Sequence, residues 1–469
     1  MKTTIQFIFI VASIFVCAVA SSAPKKLNVL YIAIDDLNDW VGVLQGHPNA
    51  STPNIDRLAK RGMLFTNAHT TSPVCNSARA AIMTGLRPST TGIYRNGVSS
   101  KDTVNKHPTI SEMFKNQGYY TAGSGKILHV FYFKPNAWHN FHGRFPDPKA
   151  KKEDIYSIAG QFNIYPLDDD LEDETMDAKM VSWVIDELKK PHKKPFFIAA
   201  GIFRPHFIWQ VPKRFYKQFP EDTLAKPRVL ANDLDDVGSL GVNWALTSAK
   251  RSKDPTAKSV DTGEHARIVK AGHWGLGMQA YMACAKHADT QVGRLLDALD
   301  ETPYAKNTAI VLWSDHGWHL GEKHHWRKST LWEEATRVPF IISVPGMTQA
   351  GSRSNEAVSL LDIFPTLADI TGLKAPKKLE GESLKPLLVN PNAKKDSPAV
   401  IEYKRGNVAI RGDRFRYIKY VNGEEELYDH EQDPNEWHNL AKNKKYAKEI
   451  QRLSRWLPKE FAPEPKGSQ

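Results

Sequence analysis

From its amino end the chain alternates two patterns. Short runs of apolar, β-branched residues stop abruptly at polar ones, and between them lie stretches in which apolar residues recur every three or four positions. That alternation predicts an α/β fold, a mostly parallel sheet sandwiched by helices. Four runs stand out: Leu27 to Ile34 (LNVLYIAI) ends at Asp35-Asp36, and Tyr119 to Ala122 ends near Lys126. Phe196 to Ala200 runs on to Arg204-Pro205-His206, and Thr308 to Trp313 (TAIVLW) ends at Asp315-His316. Ligands of open α/β sheets bind beyond the carboxyl ends of the strands, so all four polar endings are expected to face one crevice. Between the runs, Asn54 to Gly62 carries Ile55, Leu58 and Ala59 on one helical face, and Met282 to Leu299 repeats Ala288, Val292, Leu295, Leu296 and Leu299 at helical spacing. Both faces are core.

Two stretches lack either period. Phe131 to Glu174 is rich in Pro, aromatic and charged residues, and Val229 to His273 is similar, so both are expected to be long loops near the crevice that select a ligand. A Pro/Asn/Lys-rich linker around Asn390 to Ser397 precedes the alternating runs Val408 to Arg411 and Phe415 to Tyr420, then Leu427-Tyr428-Asp429. These predict a main domain over residues 21–389 and a small C-terminal subdomain over 390–469, with an antiparallel sheet and a terminal helix.

Composition narrows the class. At 469 residues, 41% hydrophobic and 25% charged, the chain has enough apolar residues for a large core and a smaller one, which excludes disorder. Residues 1–20 run from Lys2 through an apolar stretch, Ile5 to Val19, to Ala18-Val19-Ala20 before Ser21-Ser22. This is the order of a signal peptide and predicts export, to the periplasm or beyond; the stretch is short for a membrane span, and none is expected in the mature chain. Beyond it only Cys75 and Cys284 remain, too few for a disulfide framework; Cys284 lies in an apolar helical stretch and reads as core. The net charge of +11 suits a polyanionic partner, and in an exported chain without an aromatic-basic module that excludes nucleic acid and favours a sulfated polysaccharide.

The chemistry-bearing residues follow from the same layout. Cys75 sits in Ser72-Pro-Val-Cys-Asn-Ser-Ala-Arg-Ala-Ala-Ile-Met-Thr-Gly, where Pro73 breaks the chain and a helix can begin, so its position favours an anion, with Arg79 one turn on. By itself this reads first as a half-buried thiol beside a surface arginine. Asp35-Asp36 and Asp315-His316 at two strand ends repel unless a cation or shared proton lies between them, which points to a hard divalent ion, although either pair alone could be a helix cap or a turn. Lys126, His129, His206 and Lys328 complete the cationic and proton-carrying groups that an anionic ester needs. On the loops Trp138, His139, His142, His273, Trp274 and His319 are candidate sugar contacts, with packing anchors as the plain alternative.

Cys75-Asn-Ser-Ala-Arg79 followed by Thr84-Gly-Leu-Arg-Pro resembles the signature of the type I, formylglycine-dependent sulfatases. Asn28-Val-Leu-Tyr-Ile-Ala-Ile-Asp-Asp, Thr52-Pro-Asn-Ile-Asp-Arg-Leu-Ala, Gly125-Lys126, Asp315-His-Gly, Val338-Pro-Phe-Ile-Ile and Leu427-Tyr-Asp with Asp433-Pro match that family in the same order across nearly the whole chain. Asp315-His-Gly-Trp-His-Leu-Gly-Glu and Arg204-Pro-His are similar to the iduronate-2-sulfatase branch and its bacterial polysaccharide-acting relatives. Ser77 stands where most members have Pro or Ala, and His316 where many have Asn.

The resemblance implies an alkaline-phosphatase-like fold and Ca2+ held by Asp35, Asp36, Asp315, His316 and the modified Cys75. It implies that Cys75 is oxidised to formylglycine by a formylglycine-generating or anaerobic sulfatase-maturating enzyme, and that one hydroxyl of the hydrate attacks sulfur while Arg79 holds the other. It implies that Lys126, Lys328 and His206 bind sulfate, that His206 protonates the departing sugar oxygen and that His129 then deprotonates the remaining hydroxyl to release sulfate. The expected substrate is an algal polysaccharide such as ulvan, carrageenan or fucoidan, or a glycosaminoglycan. Two other readings stay open: a phosphonate or phosphate ester hydrolase of the same superfamily, and a non-catalytic binder of sulfated glycan in which Cys75 remains a thiol.

Overall fold

The computed structural model describes residues 26–132, 134–246 and 259–465; the apolar leader lies outside the described residues. At its centre is an eight-stranded sheet in the order Ser352–Ser354, Met63–Phe65, Phe340–Ser343, Thr308–Ser314, Asn28–Ile34, Phe196–Ile202, Tyr120–Gly125, Asn140–His142. The five strands from Thr308–Ser314 to Asn140–His142 are all parallel, and the short Phe340–Ser343 runs against its neighbours. The mostly parallel α/β architecture expected from the sequence is therefore the one present.

Parallel strands buried on both faces should read as unbroken apolar runs, and these do. Alternate residues of Asn28–Ile34 serve opposite cores. Val29, Tyr31 and Ala33 pack with Phe197, Trp313 and the helices Cys75–Thr84 and Ile363–Thr371, whereas Leu30, Ile32 and Ile34 pack with Ile198, Leu312 and the helices Pro53–Arg61, Met176–Lys189 and Trp274–Asp300. The two helical faces predicted from spacing, with Ile55 and Leu58 and with Val292 and Leu295, lie in the second of these cores.

Ladder bonds continue past the strands and fix where their polar endings lie. The Asp35 N–H donates to the Ile202 carbonyl at 3.1 Å, that of Asp315 to Ile34 at 3.2 Å, and that of Lys126 to Gly201 at 3.0 Å. The four strand ends thus open on one crevice, as topology requires.

Some elements differ from the sequence expectation. The long helix begins at Trp274, eight residues before Met282, and Gly275 and Gly277 let Glu221 and the Trp326 ring pack against its first turn where side chains would collide. The segments expected to be loops contain short elements: a hairpin of Tyr156–Ile158 with Phe162–Ile164, an edge strand Asn140–His142, and helices Ser239–Leu246 and Glu264–Lys270. The C-terminal antiparallel sheet has four strands rather than three. Ala399–Glu402, fully buried, pairs with Val408–Arg411, followed by Phe415–Lys419, Glu425–Asp429 and the helix Ala447–Ser454.

Gly201 is where the sheet leaves no room: a Cβ there would overlap the Lys126 backbone on the neighbouring strand. Gly201→Ala is expected to lower unfolding free energy by about 1–3 kcal/mol, the usual cost of overpacking, read from the midpoint of urea unfolding.

Candidate functional site

Cys75 is the first residue of a ten-residue helix, Cys75–Thr84, every residue of which is buried. Val74 before it is extended and offers no side-chain cap; Asn96 Oδ1 accepts the Asn76 N–H at 3.0 Å, and the helix dipole favours negative charge at position 75. Around Sγ the strand ends deliver cations: Lys328 Nζ lies at 3.0 Å and His316 Nε2 at 3.2 Å. Burial opposes ionisation of the thiol, but Lys126, Lys328 and His316 together hold its pKa well below the ordinary value. The site is built for negative charge at this position.

Three buried carboxylates face these cations. Arg79, wholly buried one turn along the helix, donates from Nε to Asp315 Oδ2 at 2.7 Å and from one terminal nitrogen to Asp35 Oδ1 at 3.3 Å. Its other terminal nitrogen donates to the carbonyls of Lys126 and Ile127. Arg79 therefore braces two strand ends, and its hydrogen bonds go to carboxylates and backbone rather than to Sγ. Lys126 Nζ bonds Asp35 Oδ2, and Lys328 Nζ bonds Asp36 Oδ1 at 2.7 Å. Burial would raise the pKa of Asp35, yet Lys126, His206 and Arg79 hold it below the usual carboxylate range; Asp315, for which burial outweighs Arg79, is pushed up to about 7. Burial also disfavours a charged His316, but the neighbouring Asp315 carboxylate, with Cys75 and Asp36, lifts it to about 9.

One oxygen is left over. Asp36 Oδ2 is buried without a hydrogen-bond partner among the described residues, and ligand atoms of Asp35, Asp36, Cys75 and His316 all lie within 4.8 Å of one another. Asp315 flanks this set, its Oδ2 3.7 Å from His316 Nε2. An oxygen-rich cluster with an orphaned carboxylate oxygen fits a hard divalent cation.

The conformation that aims Asp36 is maintained from behind. Asp36 has φ of 62°, a region that a non-glycine residue keeps only when its surroundings impose it. Its N–H donates to Asp315 Oδ1 at 3.1 Å and the next N–H, of Leu37, to Ser314 Oγ at 2.9 Å. The hydroxyl of Tyr281 donates to the Asp36 carbonyl at 2.8 Å and accepts the Asn38 N–H at 2.8 Å. Sequence reasoning missed Tyr281 and Ser314 because each reads as an ordinary member of an apolar element.

His129 and His206 stand on loops after two of the strands, both half-buried. Burial lowers the His129 pKa, against a hydrogen bond to Cys75 that raises it, and its Nδ1 has no partner among the described residues. His206 uses Nδ1 on the Phe207 carbonyl, leaving Nε2 for a ligand. The Lys328 loop is held by buried histidines: His325 Nε2 meets the Lys328 carbonyl at 2.9 Å, and His319 Nε2 meets Thr330 Oγ1 at 2.8 Å.

The candidate sugar contacts separate. His319 is fully buried against Trp332 and His325 and supports that loop, with no surface for a sugar. Trp138 packs in the core on Phe141 and Phe197. His139 lies at the amino end of its strand, where its backbone and ring bond Thr121, away from the crevice. His142 stacks on Phe145, with ring centroids 3.8 Å apart. His273 Nδ1 accepts the Ala159 N–H, and Trp274 Nε1 donates to the Leu320 carbonyl, so both pin neighbouring loops.

A model of the sulfatase family matches residues 27–373. The chain belongs to the sulfatase family. A second model, described as the C-terminal region of N-sulphoglucosamine sulphohydrolase, matches residues 321–461. A sulfatase of Formosa agariphila is 36% identical, covering 92% of this chain and 87% of its own. The iduronate 2-sulfatase of Homo sapiens is 31% identical, covering 76% and 71%. A solved structure in complex with its substrate D-glucosamine-2-N,6-O-disulfate superimposes with a TM-score of 0.72 at 23% identity, covering 92% of this chain and 96% of that one. The protein is accordingly a sulfuric ester hydrolase with a sulfatase fold, and sulfatases generally use a formylglycine and a metal ion.

Tyr281→Phe keeps the ring and removes the hydroxyl from Asp36 and Asn38. It is expected to weaken divalent-metal affinity by about tenfold, as loss of an outer-shell partner does, measured by isothermal titration calorimetry on the metal-depleted sulfatase. An unchanged affinity would show that the Asp36 backbone needs no such support.

Proposed function

We propose that this sulfatase, once exported, removes sulfate esters from a sulfated glycan through a formylglycine made from Cys75, with Ca2+ held by Asp35, Asp36, Asp315 and His316. The observation that carries the reading is the buried helix-start position of Cys75, enclosed by Lys126, Lys328 and His316 beside the orphaned Asp36 oxygen. Iduronate 2-sulfate and a glucosamine disulfate, named for two similar proteins, are both carbohydrate sulfates and support a glycan as substrate class. An algal polysaccharide or a glycosaminoglycan fits the net charge of +11. Conversion of Cys75 calls for a formylglycine-generating or anaerobic maturating enzyme.

When present, the hydrated aldehyde at position 75 supplies a geminal diol, and the adjacent ion makes its hydroxyl more acidic. The chain's own residues do the rest. Lys126 and Lys328, whose ammonium groups reach Asp35 and Asp36, take sulfate oxygens in this reading and neutralise charge that grows as the ester bond breaks. His206, with Nδ1 engaged on Phe207, presents Nε2 to protonate the departing sugar oxygen. Burial keeps His129 neutral at pH 7, so its ring can accept a proton from the diol hydroxyl that remains. Arg79 keeps the Asp35 and Asp315 carboxylates in register without touching substrate.

Protein produced with a maturating enzyme is expected to show formylglycine in the Cys75 peptide by mass spectrometry, and Cys75→Ala to lose about 10⁴-fold or more in kcat on an aryl sulfate. Chelation is expected to abolish turnover and Ca2+ to restore it. A thiol-only peptide in active protein, activity that survives chelation, or a strong preference for aryl phosphate over aryl sulfate would each defeat the reading.

A further inference from the structure

Beside the crevice lies a cleft of about 840 Å³ that the chemistry above leaves unused. It begins at Phe203, whose ring is 4.5 Å from that of His206 and carries the Lys126 ammonium over its face at 5.2 Å. Phe207 and Ile208, the residues that directly follow His206, and Tyr165 also line it. Ile208 is 40% exposed and offers the cleft an aliphatic surface. Arg144 and Lys149 line the same cleft as exposed cations. The one carboxylate in the wall among the described residues, Asp147, is already paired with the buried Arg204 at 2.9 Å, so it does not cancel the charge of Lys149.

We infer that this cleft binds the sugar units next to the sulfated one, so that the enzyme acts on an oligosaccharide or polysaccharide chain rather than on an isolated sulfated monosaccharide. The inference rests on the function proposed above, in which His206 protonates the oxygen that leaves. The leaving group is the glycan, so the rest of the glycan must lie on the His206 side of the site, and there the chain places Phe207, Ile208 and the cleft. Aromatic and aliphatic surfaces cover the apolar face of a pyranose ring, and spaced cations meet sulfate or carboxylate groups along an anionic chain. The volume falls within the range of about 300–1,000 Å³ usual for small-ligand sites. The residues that follow Arg144, namely Phe-Pro-Asp-Pro-Lys, come from the segment whose composition marked it as a ligand-selecting loop.

The test compares 4-nitrophenyl sulfate, whose single ring cannot span the cleft, with sulfated tetrasaccharides cut from ulvan, carrageenan and heparan sulfate. Lys149→Glu, a surface change with little bearing on folding, and Tyr165→Ala are expected to lower kcat/KM on the tetrasaccharide that is turned over by about tenfold, carried by KM, while the aryl sulfate changes less than twofold. Calorimetric titration of the desulfated tetrasaccharide into unreacted enzyme is expected to show the same tenfold weakening, a readout independent of turnover. Equal losses on both substrates, no loss on any tetrasaccharide, or turnover of the aryl sulfate alone would overturn the cleft assignment and leave the sulfatase chemistry intact. Failure of the wild type on every sulfate ester would instead remove the proposed function itself.

Discussion

Three carboxylates buried in one crevice repel, and the geometry of this protein follows from how that repulsion is relieved. Two unit charges 4 Å apart cost about 4 kcal/mol at the effective dielectric of a protein site. Asp35, Asp36 and Asp315 are made compatible by Arg79, Lys126 and Lys328, which reach them from a helix, a strand end and a loop. The balance is nevertheless incomplete, since one Asp36 oxygen lacks a partner among the described residues and burial pushes the Asp315 pKa up to about 7. In the proposed reaction a divalent ion would complete it, and the sulfate group of a substrate would then draw on lysines that otherwise serve the carboxylates.

Much of this was legible before any coordinates, for a simple reason. A parallel strand buried on both faces is an apolar run, and its first polar residues are where the sheet ends; Asp35-Asp36, Lys126, His206 and Asp315-His316 all announce themselves in that way. Cys75 with Arg79 announces a helix start through Pro73 and the small residues that follow. What could not be read was direction within irregular segments. His139 and His142 are three residues apart, yet one sits at the far end of its strand and the other stacks behind the wall of a cleft. Tyr281 escaped because its ring packs as any core aromatic does, and only its hydroxyl acts on Asp36. Arg79 was legible as a residue of the site but not as a brace, since spacing along a helix says nothing of which strand ends lie opposite.

The loop that carries Lys328 shows how a flexible side chain is made precise. Arg327 and Ser329 on either side have φ of 85° and 80°, so the backbone is bent into a region that side chains avoid. Arg327 is anchored to buried Glu264 at 2.8 Å, and Lys323 to Asp233 at 2.6 Å. Both anchors come from the irregular stretch between residues 229 and 273, which therefore shapes the site from outside as well as forming its surroundings.

The contact between Cys75 and His316 spans 241 residues of sequence. The thiol has no exposure in the folded protein, but the strand end that closes over it is among the later parts of the chain to be made. At about 5–20 residues per second of synthesis, some 12–50 seconds separate the emergence of Cys75 from that of its lid. Any enzyme that modifies the thiol has that interval, and the folding time that follows, in which to reach it.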